Sequence, residues 1–285
     1  MTVNIMPYRK RISSNILMGF LALSLTLWVE STLGSSSEHV RAIETALKGD
    51  HRSKKHKNRD QFRRPVETLT FFGIKPPSNV VEITPGRGWY SEVLAPLLKE
   101  KGTLTAVIYD ANLTTSSYLK KLNGFYKSKL GERPEIYSKV RLKEIAHKNP
   151  SFDLNNSADI VLTFRNVHNW AKSKTTDLMF ESFYKALKSG GILGVVEHRA
   201  RPGTSISQQI KSGYMTEDFV IQTAKKAGFS LDSKSEINGN PKDSKDHKNG
   251  VWTLLPVQRG LTGDEKLSYG QIGESDRMTL KFIKP

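Results

Sequence analysis

Cysteine is absent from all 285 residues. That absence excludes disulfides, thiolate metal sites and a cysteine nucleophile, and it suits an oxidising compartment without proving one. Acidic residues are few beside basic ones: 28 Asp and Glu stand against 44 Lys and Arg, a formal charge of +16. Apolar residues make up a modest 37%, and the run from Ile16 to Val29, at 14 residues, is short of the about 20 that a membrane span requires. No Gly-x-Ser-x-Gly elbow occurs, which removes a serine hydrolase of the usual kind. No internal repeat is present. The length suits one substantial core carrying an insertion.

What is present begins with an export pattern. Arg9-Lys10-Arg11 forms a positive start, the Ile16–Val29 run follows, and Thr32 and Gly34 offer the small residues of a cleavage site. Residues 1–34 therefore read as a signal peptide and the protein as exported and periplasmic. The alternative is an uncleaved amino-terminal helix that anchors the chain to a membrane. Residues 35–61 form a basic segment that includes Lys54-Lys55-His56-Lys57. The bland reading of residues 48–64 is a solvated tract, and the functional one is a patch for an anionic surface. No stacking aromatics are interleaved before Phe62, which argues against nucleic acid.

Residues 62–285 alternate strand and helix patterns. Asn79 to Ile83 reads as a buried strand running into Thr84-Pro85-Gly86-Arg87-Gly88, and Tyr90, Val93, Leu94, Leu97 and Leu98 follow at helical spacing. Pro96 should kink or shorten that helix. Gly86 and Gly88 let the backbone turn sharply and let a ligand approach, and the next helix presents free N–H groups. Glu82 sits near the carboxyl end of the strand, where it can accept from a ligand amine or hydroxyl. Thr103 to Tyr109 is a second strand closing on Asp110, where a ribose would be gripped. A weak third strand covers Val140 to Ile145, and a fourth, Ala158 to Phe164, ends at Arg165-Asn166-Val167-His168-Asn169-Trp170. Asp177 to Leu187 reads as a helix stopped by Gly190-Gly191, and Ile192 to Val196 as a fifth strand closing on Glu197-His198-Arg199. Phe229 to Ile237 and Met278 to Ile283 read as a late antiparallel pair. Residues 238–277 between them form an insertion or flap.

The glycine turn at Glu82–Gly88, Asp110 after strand two and Leu187-Lys188-Ser189-Gly190-Gly191 resemble class I S-adenosylmethionine-dependent methyltransferases. Residues 62–285 are similar to a bacterial group of predicted methyltransferases, through Arg165-Asn166-Val167-His168-Asn169-Trp170 and Gly273-Glu274-Ser275-Asp276-Arg277-Met278. The resemblance implies a doubly wound, mostly parallel seven-stranded α/β sheet, with S-adenosyl-L-methionine as cofactor and an unidentified methyl acceptor. It implies that Gly86 and Gly88 approach the methionine moiety while Asp110 holds the ribose hydroxyls. Glu82, Pro85, Arg165 and Asn166 join them as expected cofactor contacts. Pro85 and Arg87 depart from the commonest three-glycine form, and Glu144 is a poor stand-in for the adenine-orienting acid of the family.

Methyl transfer needs an in-line approach and often a base. His168, Glu197 and His198 are the catalytic candidates, crowded at the ligand edge of strands four and five. Tyr90, Asn169 and Trp170 are the expected acceptor contacts. The spacing of His168, Glu197 and His198 matches no metal motif, so no metal is expected. A nicotinamide enzyme is the enzymatic rival, but Ser91 stands where its third glycine belongs. Export and a cytoplasmic cofactor conflict, which leaves a second hypothesis: an exported, non-enzymatic binding protein that keeps the fold and docks anionic partners through its basic segment.

Overall fold

The computed structural model describes Met1 and residues 38–285. The expected export signal falls on residues 1–34 and so lies outside the described residues, Met1 apart. Among the described residues no helix is long and apolar enough to cross a membrane.

The elements run in order as α1 (38–48), α2 (Lys54–Lys57), α3 (Asp60–Arg63), α4 (Pro65–Phe71), β1 (Asn79–Ile83), α5 (Ser91–Leu98), β2 (Thr103–Tyr109), α6 (Ser117–Glu132), α7 (Pro134–Tyr137), β3 (Arg141–Ile145) and β4 (Ala158–Phe164). Then come α8 (Val167–Ser173), α9 (Thr176–Ala186), β5 (Leu187–His198), α10 (Ile206–Ser212), α11 (Glu217–Lys226), β6 (Ser230–Ser235), a 3-10 turn (Gly250–Thr253), α12 (Gly263–Ile272) and β7 (Arg277–Ile283). One seven-stranded sheet has the order β3-β2-β1-β4-β5-β7-β6. β7 pairs antiparallel with both β5 and β6, whereas the pairs among β1 to β5 are parallel. This is the Rossmann-like class I methyltransferase fold. Chain direction across the sheet diverges between β1 and β4, and a ligand crevice opens at the carboxyl ends there.

Both sheet faces are covered, as parallel strands require. Val81, Ile83, Val161, Leu193 and Val195 face Trp170, Phe180 and Phe183 of α8 and α9. Val80, Ile160, Leu162 and Val196 face Leu69, Phe72, Val93 and Leu94 on the other side. Gly194 makes that second layer possible, because a Cβ there would stand 2.8 Å from Phe72 Cδ1 and from Leu162 Cδ2. The edge strand β6 alternates exposed and half-buried residues and carries Asp232 and Lys234, which discourages further pairing.

One expectation is corrected here. Gly190-Gly191 does not stop α9: the helix ends at Ala186, and both glycines lie inside β5, where the register against β4 shifts between Ala158 and Ile160. Pro96 stays within α5. Its missing N–H leaves the Glu92 carbonyl free, and the His51 ring takes it up at 2.7 Å. Lys55, His56, Arg59 and Arg63, in and between α2 and α3, cover the cleft. α4 itself is packed into the core through Leu69.

Candidate active site

The cleft at the carboxyl edge of the sheet has a volume of about 1470 Å³. Its floor is the turn after β1. Thr84 takes φ +44° there, a left-handed conformation unusual for a β-branched residue, and Gly86 takes φ +64°. The Thr84 N–H donates to Val107 O (2.8 Å), while Asn166 Nδ2 donates to Ile83 O (3.1 Å) and Thr163 Oγ1 (3.2 Å), so neighbouring strands hold the strained turn. The departure from a three-glycine turn that carries strain is thus Thr84. Arg87 does not crowd the loop, because its guanidinium lies over the Phe125 ring, 4.5 Å from the centroid.

A Cβ on Gly86 would meet no atom within 4 Å, so its open side faces the cleft. Gly88 faces α6, where a Cβ would lie 3.1 Å from the Tyr126 ring. Thr84 Oγ1 is buried with no hydrogen-bond partner. An open glycine cradle beside an orphaned hydroxyl fits a ligand that carries its own polar groups. Glu82, 1% exposed, completes the floor, and its carboxylate accepts from Ser91 Oγ at 2.6 Å. Burial pushes Glu82 up to about 7 against the opposing pull of the Ser91 hydrogen bond and the Arg63 charge.

The sign of that shift gives a stability prediction. A carboxyl raised from about 4.5 to about 7 binds more protons folded than unfolded across that window, so Glu82 weakens the fold as pH rises through it, by roughly 3 kcal/mol. Glu82→Gln, which mimics the neutral acid, should match the parent near pH 4.5 and exceed it at pH 8. Urea midpoints at the two pH values check this.

On the β2 side the cleft is walled by Tyr109, whose hydroxyl accepts from Trp170 Nε1 (3.0 Å), and by His147, edge-on to Tyr109 at 4.9 Å. Asp110 does not line the cleft here: its Oδ1 accepts from the Asn112 N–H at 2.7 Å. Glu144 is also turned away, bound by Asn123 and Lys127.

On the β4 and β5 side, Arg165, Asn166, His168, Asn169, Trp170 and His198 share the cleft with Glu82, Pro85, Gly86 and Tyr90. Glu197 does not reach it. Fully buried behind α8, its Oε1 accepts from His168 Nδ1 (3.1 Å) and the His198 N–H (2.8 Å), and its Oε2 from the Val167 N–H. A carboxylate that accepts from Nδ1 fixes the tautomer of His168 and leaves Nε2 as the lone-pair nitrogen. His198 Nδ1 pairs with Ser275 Oγ. Burial first, with the charges of Arg277, Arg165 and Arg63 acting in the same direction, holds His198 well below the usual histidine range, so it is neutral at pH 7.

Among the described residues, ligand atoms of His168, Glu197 and His198 lie within 4.8 Å of one another, the one grouping with metal-like spacing. Both Glu197 oxygens are already occupied by N–H donors, which opposes metal binding.

Sequence reasoning found the third wall only at Arg165, expected there as a cofactor contact, and missed its partners. Arg59, Arg63, Arg165 and Arg277 converge on Glu274. Tyr90 lies beneath, stacked on Phe164 with ring centroids 3.5 Å apart, and burial pushes its phenol up against the pull of Arg63 and Arg165. The expected insertion adds Trp252, Leu255, Pro256 and Val257 to the rim. The sequence signal lay in the Glu274–Arg277 motif and in the arginines of the basic tract, but nothing in spacing pairs residues 215 positions apart.

No family model matches the chain, and no curated protein matches it. Solved structures do. The chain is 15% identical to a SAM-dependent methyltransferase from Aquifex aeolicus, with a TM-score of 0.52 over 84% of this chain and 100% of that one. It is 14% identical to the [4+2]-cyclase SpnF, with a TM-score of 0.55 over 84% of this chain and 86% of that one. Two chemistries on one architecture show that such likeness carries the fold and not the reaction. The fold is that of class I S-adenosylmethionine-dependent methyltransferases.

Proposed function

We propose that this protein is an S-adenosylmethionine-dependent methyltransferase acting on an acceptor that sheds a proton. The observation that carries the reading is the strained Thr84–Gly86 turn, whose open glycine faces a cleft that also holds a carboxylate-oriented histidine, with the orphaned Thr84 hydroxyl buried beside it. Glu82, Pro85, Gly86 and Asn166 would hold the cofactor, with Asp110 reaching its ribose after releasing the Asn112 N–H. The cofactor supplies an electrophilic methyl group on sulfur when bound. Glu197 positions His168, and His168 Nε2 takes the acceptor's proton. His198, neutral and anchored by Ser275, is a second acceptor-facing nitrogen. Asn169 would wall the acceptor end of the cleft, while Trp170, bonded to Tyr109, backs the cofactor side.

One observation weighs against the alternative of a basic docking protein. Much of its basic segment is turned inward: Arg52 pairs with Asp60, His56 with Glu92, and Arg59 and Arg63 with Glu274. Lys54 and Lys55 stay exposed.

Two variants test the proposal. Gly86→Val places a β-branched residue at φ +64° with its side chain in the cleft, and should abolish binding of S-adenosylhomocysteine while costing the fold about 1–2 kcal/mol. Asp110→Ala removes a charged acceptor and should weaken binding roughly tenfold to a hundredfold. Calorimetric titration alongside thermal unfolding reads both. Affinity unchanged in Gly86→Val would rule out this cradle as the cofactor site.

A further inference from the structure

The arginine wall carries more positive charge than its one carboxylate neutralises. Arg59, Arg63, Arg165 and Arg277 all line the cleft, and Glu274, 2% exposed, is the single acid they share. Arg63 is 2% exposed, and its Nε and Nη1 have no hydrogen-bond partner; Arg277, equally buried, leaves its Nε unpaired. Burial and the like charges of Arg165 and Arg59 oppose the charge on Arg63, with Glu274 the partial offset. Buried guanidinium N–H groups left unmade are costly, and planar forks of this kind match oxyanions. Held in place, they form a built but uncompensated anion site.

Position assigns that site to the acceptor. The cradle of Gly86 and the Tyr109 wall lie over β1 and β2. Arg165 follows β4 and Arg277 opens β7, on the opposite side of β1 in the sheet order, with α2 and α3 closing the roof. His198, at the end of β5, lies between them, bonded through Nδ1 to Ser275, the neighbour of Glu274. An anion seated on the arginines therefore directs the rest of its molecule toward His168 and His198.

We propose that the arginine wall formed by Arg59, Arg63, Arg165 and Arg277 binds a doubly charged oxyanion of the methyl acceptor, of the phosphate monoester class. Four guanidinia against one carboxylate leave three positive charges uncompensated, enough to hold both negative charges of a phosphate where a single carboxylate supplies one. The inference rests on the methyltransferase reading of the cleft. Its test is independent of that reading, because inorganic phosphate and S-adenosylhomocysteine are titrated separately.

The experiment titrates the purified protein with sodium phosphate and with sodium acetate at fixed ionic strength, followed by calorimetry and by the shift in Tm. Phosphate should bind at a single site and raise Tm, and acetate should bind at least tenfold more weakly. Arg63→Gln should weaken phosphate roughly tenfold to a hundredfold while leaving S-adenosylhomocysteine affinity within threefold. Arg59→Gln, at a partly exposed position, provides the same test should Arg63→Gln fail to fold. Acetate binding as tightly as phosphate, or no phosphate binding by the folded protein, would overturn the proposal. So would loss of S-adenosylhomocysteine binding in these variants, which would give the arginines to the cofactor's carboxylate instead.

Discussion

Glu274→Ala should destabilise the fold by about 3–5 kcal/mol, because it removes the one carboxylate shared by four guanidinia and leaves like charges facing each other out of water. Glu274 is 2% exposed and bonded by Arg59 Nε and Arg277 Nη2, with Arg165 Nη1 at 3.7 Å and Arg63 Nε at 3.8 Å. Burial raises its carboxyl, and the charges of Arg277, Arg63 and Arg59 outweigh that and hold it well below the usual range. A depressed carboxyl contributes stability above its unfolded value of about 4.5 and loses it as pH falls toward the folded value. The parent should therefore lose stability steeply below pH 4.5, and the variant should lack that acid limb. In thermal terms the loss at pH 7 is roughly 10 °C for a domain of this size. Added phosphate should raise the Tm of Glu274→Ala more than that of the parent, since the anion then replaces the missing carboxylate. Thermal scans at pH 4 and pH 7, with and without phosphate, check all three points.

The second large effect is expected at Glu197. Its two oxygens accept from the Val167 N–H, the His198 N–H and His168 Nδ1, and its side chain is fully buried. Glu197→Ala strands these donors in a dry interior, at about 1–3 kcal/mol each, less what local relaxation recovers. The net loss should be roughly 3 kcal/mol. Beyond stability, the imidazole of His168 loses the group that orients it, and a base out of orientation costs on the order of 100-fold or more in rate. Nitrogen-15 spectra separate the two effects. The parent should show His168 as a single tautomer protonated on Nδ1, and Glu197→Gln, which keeps the volume, should show a mixture of tautomers. A single unchanged tautomer in Glu197→Gln would remove Glu197 as the positioning residue.

Much of the sheet could be read from the chain because buried parallel strands announce themselves. Asn79–Ile83, Thr103–Tyr109 and Ala158–Phe164 are short β-branched or apolar runs bounded by turn residues, and the strands occupy those positions. Gly190-Gly191 misled because paired glycines serve a helix stop and a strand irregularity alike, and only the pairing of β5 with β4 and β7 decides between them. The carbonyl that Pro96 leaves free is taken up by His51, 41 residues before Glu92, a partner no local spacing records.

The site was legible in part, and the missing part has a physical cause. His168 and His198 end adjacent strands, so topology alone brings them together. Glu197, one residue from His198, is fully buried and bonded to His168 Nδ1 and the Val167 N–H, which makes it a support for His168 and not a wall of the cleft. The arginine wall was hidden because charge runs usually lie in water. Here Arg59 and Arg63 are drawn inward by a carboxylate near the other end of the chain, and Arg63 also lies over the Trp89 ring, 4.4 Å from its centroid. Sequence spacing holds no record of such a pairing.

The measurement that tests the central claim most directly is calorimetric titration of the purified protein with S-adenosylmethionine and S-adenosylhomocysteine at pH 7. The account predicts one site of micromolar affinity for both, lost in Gly86→Val and retained in Arg63→Gln or Arg59→Gln. A folded protein that binds neither compound at millimolar concentration would contradict it, and would leave the cleft as the site of some other chemistry on the same fold.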